Sequence, residues 1–143
     1  MNKNVSDVMS TNVVPVSLDK HVYDVALNMK EYDTEFIPIV ETEDHRKLVG
    51  VVTDRDLVLR GIASKNPGST KVSEVMTADV HTVNSTASID EAAKMMAAHQ
   101  VRRLPVVDNG ELVGILSLGD IATESSSQNN AGSALTDISE PSH

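Results

Sequence analysis

The chain has 143 residues, a formal charge of −9 and 40% hydrophobic residues, with one phenylalanine, two tyrosines and no tryptophan. It can bury an aliphatic interior, yet it lacks the cationic surplus that neutralises nucleic-acid phosphates non-specifically, and its lack of cysteine excludes disulfides, thiolate metal sites and a thiol nucleophile. No window reaches the roughly 18 uninterrupted apolar residues of a membrane span, and the opening MNKNVSDVMS has no apolar signal core, so a cytoplasmic location is expected.

In chain order, Val13–Val16 reads as a short strand. Val22, Val25, Ala26 and Met29 then recur at i, i+3, i+4 and i+7, the spacing of an amphipathic helix. Phe36–Val40 and Leu48–Val52 follow as two strands joined by a turn, and a second helix is predicted to begin near Thr53. The text then starts again. Val80–Val83 is the strand, and Ile89, Ala92, Ala93 and Met96 repeat the helical stripe behind a Ser88/Glu91 capping box. Arg103–Val107 and Leu112–Leu116 are the strand pair, Asp108-Asn109-Gly110 has the composition of a tight turn, and the last helix is predicted near Ser117. From Glu124 the sequence turns to ESSSQNNAGSALTDISEPSH, with no Lys or Arg and only Leu135 and Ile138 as large aliphatics. Such a composition predicts disorder, with a short partner-binding segment around Ala134–Ile138 as the alternative.

The restart is a repeat. A shift of 67 positions lays VSDVMSTNVVPV (5–16) on VSEVMTADVHTV (72–83) and FIPIV (36–40) on RLPVV (103–107). A shift of 64 lays LVGVVTDRDL (48–57) on LVGILSLGDI (112–121). The lost residues fall between the paired strands, ETEDHRK against DNGE, where a surface turn tolerates deletion. The fold class is therefore α/β (α+β), a β-α-β-β-α unit used twice. One copy cannot bury both faces of its small sheet, so the copies are expected to pack with pseudo-twofold symmetry. The units run 4–63 and 64–122, followed by a polar tail at 123–143.

Each copy closes on a glycine, two aliphatics, a hydroxyl residue and, three further on, an aspartate: GVVTDRD (50–56) and GILSLGD (114–120). Two readings compete. Thr53 or Ser117 can cap the following helix, with Asp56 or Asp120 satisfying exposed N–H groups. Alternatively the carboxylate can accept from a vicinal diol, as acidic residues do on nucleotide ribose, beside N–H groups suited to phosphate. A capping box favours Glu or Gln at the third position, and both copies have Asp, so one stretch can serve both purposes. Elsewhere the chemistry is thin. His21, His45, His81, His99 and His143 have no metal-ligand spacing, and neither a phosphate loop nor a nucleophile elbow is present. Met9 and Met76 hold the same place in each copy and are expected in the core.

These motifs, in this order and twice over, resemble a pair of CBS domains, the cystathionine-β-synthase repeat whose tandem is often called a Bateman module. The resemblance rests on V-x-x-V-M-[ST] at 5–10 and 72–77, RLPVVD at 103–108, and G-h-h-[ST]-x-x-D at 50–56 and 114–120, and it covers about residues 4–122. It implies a stand-alone regulatory sensor, not an enzyme. The implied ligand is AMP, ADP or ATP, optionally carrying a magnesium ion met by Asp54 and Asp56, and no cofactor is required. It further implies a homodimer and a regulated protein that the sequence does not identify. One implied cleft combines Thr53 and Asp56 with Val80, His81, Thr82 and Val101. The other combines Ser117 and Asp120 with Val13, Val14, Thr34 and Glu35. Arg102 and Arg103 stand where the family places phosphate-binding cations, but their counterparts are Glu35 and Phe36, so the clefts are expected to be unequal. Arg55 is open between a phosphate role and a solvated helix face, and Arg60 is expected on a solvated face. The alternatives are an interaction scaffold with vestigial clefts, and S-adenosylmethionine or a dinucleotide as ligand.

Overall fold

The computed structural model describes residues 3–124. Of the predicted disordered tail, Thr123 and Glu124 instead complete the last helix, and the rest, with the segment Ala134–Ile138, lies outside the described residues. In chain order the elements are α1 (Val5–Val8), β1 (Val16–Ser17), α2 (Val22–Tyr32), β2 (Phe36–Val40), β3 (Leu48–Thr53) and α3 (Asp54–Asp56), which continues as a π-helical stretch, Leu57–Ile62. A 3-10 turn (Val72–Glu74), α4 (Ile89–His99), β4 (Arg103–Asp108), β5 (Glu111–Ser117) and α5 (Leu118–Glu124) follow. These residues condense into two compact units. The first comprises 14–80 and 110–112, and the second comprises 3–13, 81–109 and 113–124. The repeat boundaries of the sequence mark where the text restarts, whereas the compact units mark where the packing gathers.

The first unit is built on a sheet in the order β1-β2-β3, with β1 parallel and β3 antiparallel to β2. Its aliphatic strands need a cover, and α2 supplies one. Val25 from the predicted stripe is fully buried, and Val22 and Met29 pack beside it. The core of Val16, Ile37, Ile39 and Val52 is completed by Val72 and Val75 from the 3-10 turn. The start of α2 is secured by the His21 N–H, which donates to Asp24 Oδ2 at 2.9 Å. It ends at Asp33, whose φ of 50° is left-handed.

The second unit packs α4 and α5 with the β4–β5 hairpin and α1. Val5, Val83, Ile89, Ala92, Met96, Leu104, Leu116 and Ile121 form its interior. The Ser88 hydroxyl accepts from Glu91 N–H at 3.0 Å and starts α4. The hairpin turns at Asn109 (φ 53°) and Gly110 (φ 82°), the two positive values of a type I′ turn, which only such residues adopt cheaply.

Two expectations need correction. The strand predicted over Val13–Val16 begins only at Val16, where Val16 pairs with Ile39 and Ser17 with Val40. Pro15, with no N–H to donate, cannot extend the ladder upstream. The strand predicted over Val80–Val83 is reduced to one parallel bridge, Val83 with Val106. It matches the Val16–Ile39 pair residue for residue, but the chain then leaves the ladder at Ser85. The Ser85 N–H and hydroxyl donate to Asp108 at 3.0 and 2.5 Å. In the first unit the buried Ser17 hydroxyl donates instead to Asp19, whose carboxyl it holds below the usual range. Periodicity also missed α1 and the 3-10 turn, each a single turn with too few residues to carry a period.

Those missed turns feed a feature that explains two motifs together. Thr77 exchanges backbone hydrogen bonds of 2.8 and 2.9 Å with Val51 on β3, and Ser10 exchanges bonds of 2.9 and 3.0 Å with Ile115 on β5. Each V-M-[ST] segment therefore lies across the closing strand of the unit built on the other repeat. The crossing passes directly over a glycine. A Cβ at Gly50 would stand 2.7 Å from the Thr77 carbonyl and 3.0 Å from Met76 Sδ, and one at Gly114 would stand 2.7 Å from Met9 Sδ and 2.8 Å from the Ser10 carbonyl. Met9 and Met76 pack against the interiors of their units, as expected of them.

Gly50→Ala and Gly114→Ala should each destabilise the protein by about 1–3 kcal/mol, the range for forcing atoms into packed space. Gly61→Ala, where an added Cβ meets nothing within 4 Å, is the control and should leave stability unchanged or slightly raised. Urea denaturation compares the three. A second prediction concerns acid. The Ser85 hydroxyl, and secondarily its N–H, hold the Asp108 carboxyl below its ordinary range. A carboxyl with a depressed folded-state pKa contributes stability above the unfolded value and loses it as pH falls through the folded one. The gap in melting temperature between the natural protein and Ser85→Ala should be open at pH 7 and close as the pH falls below about 4.

Candidate functional site

At the end of β3, Thr53 is extended (φ −109°, ψ 168°) and the chain turns directly into α3. The turn is closed reciprocally. Thr53 Oγ1 accepts from Asp56 N–H at 3.2 Å, and Asp56 Oδ2 accepts from Thr53 N–H at 2.9 Å. The Thr53 hydroxyl also lies 3.2 Å from Asp56 Oδ2, as donor. The second copy repeats the device at the end of β5. Ser117 Oγ accepts from Asp120 N–H at 3.0 Å, and Asp120 Oδ2 accepts from Ser117 N–H at 3.1 Å. The capping reading is therefore realised in both copies. Asp reaches back as Glu would because the backbone brings it close, so each carboxylate is fixed at a half-buried corner where strand becomes helix.

Each corner is tied to the residues preceding the central strand of its own repeat. Asp54 N–H donates to the Glu35 carbonyl at 3.2 Å, and Leu118 N–H donates to the Arg102 carbonyl at 2.8 Å. The Thr34 hydroxyl folds onto its own strand, accepting from Phe36 N–H at 3.2 Å. Val101 N–H closes the end of α4 on the Met96 carbonyl at 3.0 Å. Arg102 is exposed and Arg103 half-buried at the start of β4. Of the residues expected to face a base, Val14, Thr34, Glu35 and Val80 belong to the first unit, with Thr53 and Asp56. Val13, His81, Thr82 and Val101 belong to the second, with Ser117 and Asp120. His81 stacks on His99 at the end of α4, with ring centroids 3.6 Å apart and planes 15° from parallel.

Sequence reasoning missed one member of the first corner. The Thr77 hydroxyl lies 3.2 Å from Asp56 Oδ1 and 3.4 Å from Oδ2, and donates to this carboxylate from 21 residues away. The signal was the final residue of V-M-[ST], but nothing in a linear text shows where that residue lands. Arg60 is exposed, as expected of a solvated face, and it also donates from Nη1 to the Met76 carbonyl at 2.8 Å and so steadies the same segment. Arg55 has an exposed side chain. Beyond Asp56, the helix passes into its π-helical stretch, with Ala63 N–H reaching the Val58 carbonyl at 2.8 Å. No group of three or more His, Asp or Glu residues suited to a metal ion occurs among the described residues.

A βαββα unit written twice, with a hydroxyl–carboxylate corner at the end of each closing strand, defines a tandem repeat module. The family model for the CBS domain matches residues 5–61 and again 72–127, and the chain belongs to the CBS domain family. It is 46% identical over 136 residues to the protein YlbB of Bacillus subtilis (strain 168), covering 95% of this chain and 91% of that protein. Among solved structures it is similar to CBSX2 in complex with AMP, with a TM-score of 0.74, 30% identity, and coverage of 87% of this chain and 96% of that one. It is also similar to the CBS domain pair of MJ0100 in complex with 5-methylthioadenosine and S-adenosyl-L-methionine, with a TM-score of 0.76, 25% identity, and coverage of 89% and 98%.

Removing the hydroxyl removes the cap. Thr53→Ala and Ser117→Ala should each lower unfolding stability by about 1 kcal/mol, as N-cap truncations do, while Thr53→Ser should retain most of it. Urea midpoints at constant slope provide the measurement.

Proposed function

We propose that this protein is a regulatory module that binds an adenosine-containing nucleotide, AMP, ADP or ATP, and signals by a change of conformation. The observation that carries the reading is the duplicated corner, in which a fixed carboxylate, Asp56 or Asp120, stands beside a hydroxyl at a strand–helix junction. A carboxylate so held accepts from the two hydroxyls of a ribose. The AMP bound to CBSX2 and the S-adenosyl-L-methionine and 5-methylthioadenosine bound to MJ0100 share that ribose. Val80, His81, Thr82 and Val101, and Val13, Val14, Thr34 and Glu35, are the residues we assign to the base. Arg102 and Arg103 are assigned to phosphate. Magnesium would accompany ATP rather than occupy a site of its own.

The signal is a population shift. A ligand that binds one conformation more tightly than another moves the equilibrium by its differential affinity, and a partner protein reads the result. We also infer that the module acts in the cytoplasm as a homodimer, without enzymatic activity. Tyr23 and Leu27 on α2, with Val58, Leu59 and Ile62 on the π-helical stretch, are exposed large apolar residues suited to a second copy of the chain. The scaffold reading draws on a different observation: the Asp56 carboxylate already has protein partners in Thr53 and Thr77.

Isothermal titration with AMP, ADP, ATP and S-adenosylmethionine, run beside Asp56→Ala and Asp120→Ala, separates the readings. Saturable binding lost in one or both variants is the expected result. Absence of binding by all four ligands would remove the adenosyl-sensor reading and leave the scaffold.

A further inference from the structure

The two corners differ in the donors that reach the carboxylate, and the difference has a consequence for the order in which they fill. Resting on the nucleotide reading above, we propose that Thr77 gates the Thr53–Asp56 corner, so that ligand occupies the Ser117–Asp120 corner first. A carboxylate offers about four lone-pair positions. At Asp56, Oδ2 faces both the N–H and the hydroxyl of Thr53, at 2.9 and 3.2 Å, and the Thr77 hydroxyl is shared between Oδ1 and Oδ2 at 3.2 and 3.4 Å. A diol that donates one hydroxyl to each oxygen brings five donors to about four positions, and Thr77, which comes from outside the strand–helix turn and bonds both oxygens at 3.2 and 3.4 Å, is the donor it displaces. At Asp120 the carboxylate accepts from Ser117 N–H alone among the described residues, through Oδ2 at 3.1 Å. Ser10 holds Thr77's place in the other repeat. It is exposed, and its hydroxyl donates to no carboxylate among the described residues.

Thr77 is poorly placed to step aside. Its backbone is pinned to Val51 by bonds of 2.8 and 2.9 Å, and the preceding carbonyl is held by Arg60 at 2.8 Å. As a β-branched residue, it also has few χ1 alternatives. The gate opens when the hydroxyl rotates off the carboxylate, exchanging a charge-assisted hydrogen bond for one that the ligand must replace.

The test uses the full chain and AMP as probe, by isothermal titration. The tighter step should vanish in Asp120→Ala and the weaker in Asp56→Ala. Thr77→Val keeps the shape and the β-branch while deleting the donor. It should tighten the weaker step roughly tenfold, about the worth of a hydrogen bond to a charged group, and leave the tighter step in place. Thr77→Ser restores a hydroxyl and should return the weaker step toward its natural affinity, and melting curves establish that each variant is folded. If the natural protein shows only the Asp120 step and Thr77→Val gains a second, the gate is supported in its strongest form. Loss of the tighter step in Asp56→Ala, or an unchanged or weakened step in Thr77→Val, overturns the gate and leaves nucleotide binding intact. No binding of AMP, ATP or S-adenosylmethionine by either the natural protein or Thr77→Val overturns both.

Discussion

The backbone crossing of each V-M-[ST] segment over a glycine of a closing strand is the constraint from which the rest of the site follows. Val51 with Thr77, and Ile115 with Ser10, exchange two main-chain hydrogen bonds each, and a side chain at Gly50 or Gly114 would collide with the crossing carbonyl. Main-chain bonds of this kind are insensitive to the side chains around them, but they demand close approach, and only glycine on the strand below permits it. The crossing therefore accounts for the leading glycine of G-h-h-[ST]-x-x-D and for its coupling to a motif far away in the chain. It also sets down beside the first corner the threonine that sequence reasoning did not connect to it.

The corner itself resolves a competition that the sequence left open. A hydroxyl and a carboxylate three residues apart are a helix cap, and in both copies they act as one. Capping does not exclude recognition. It holds the carboxylate in a fixed position before any ligand arrives, which lowers the conformational cost of binding. A free aspartate on a loop would have to be ordered first. The same economy explains why Asp serves where Glu is the usual capping partner: a shorter side chain has fewer rotamers to immobilise.

Much of the fold was legible. The helices α2 and α4 came from a 3.6-residue stripe, the strand pairs from aliphatic runs bounded by turn residues, and the Asn109-Gly110 turn from its composition alone. The parallel pairs Val16–Ile39 and Val83–Val106 keep the same spacing as the repeat. Failures occurred where the signal is not periodic. α1 and the 3-10 turn at Val72–Glu74 are single turns. The π-helical stretch Leu57–Ile62 has a sequence that reads as ordinary helix, because its register is set by carbonyl partners five residues back. Strand starts were misjudged at Val13 and Val80, since pairing begins only at Val16 and Val83; at Pro15 the missing donor bars the ladder from extending upstream. At the candidate site, Thr53, Asp56, Ser117 and Asp120 were identified in advance, whereas Thr77 and the anchoring role of Arg60 were not.

By itself, the sequence determined that the protein is a duplication, which residues form α2, α4 and the two strand pairs, and where a hydroxyl and a carboxylate meet at a helix start. These are local properties, decided within a few residues by periodicity, turn chemistry and reach. Only the tertiary structure decided which repeat's opening segment lies across which closing strand, and hence that Asp56 meets a threonine hydroxyl while Asp120 meets no counterpart among the described residues. Two nearly identical motifs became unequal through a contact spanning 21 residues. Chain spacing cannot encode such a contact, because it arises when separate segments share a surface and a glycine lets their backbones touch.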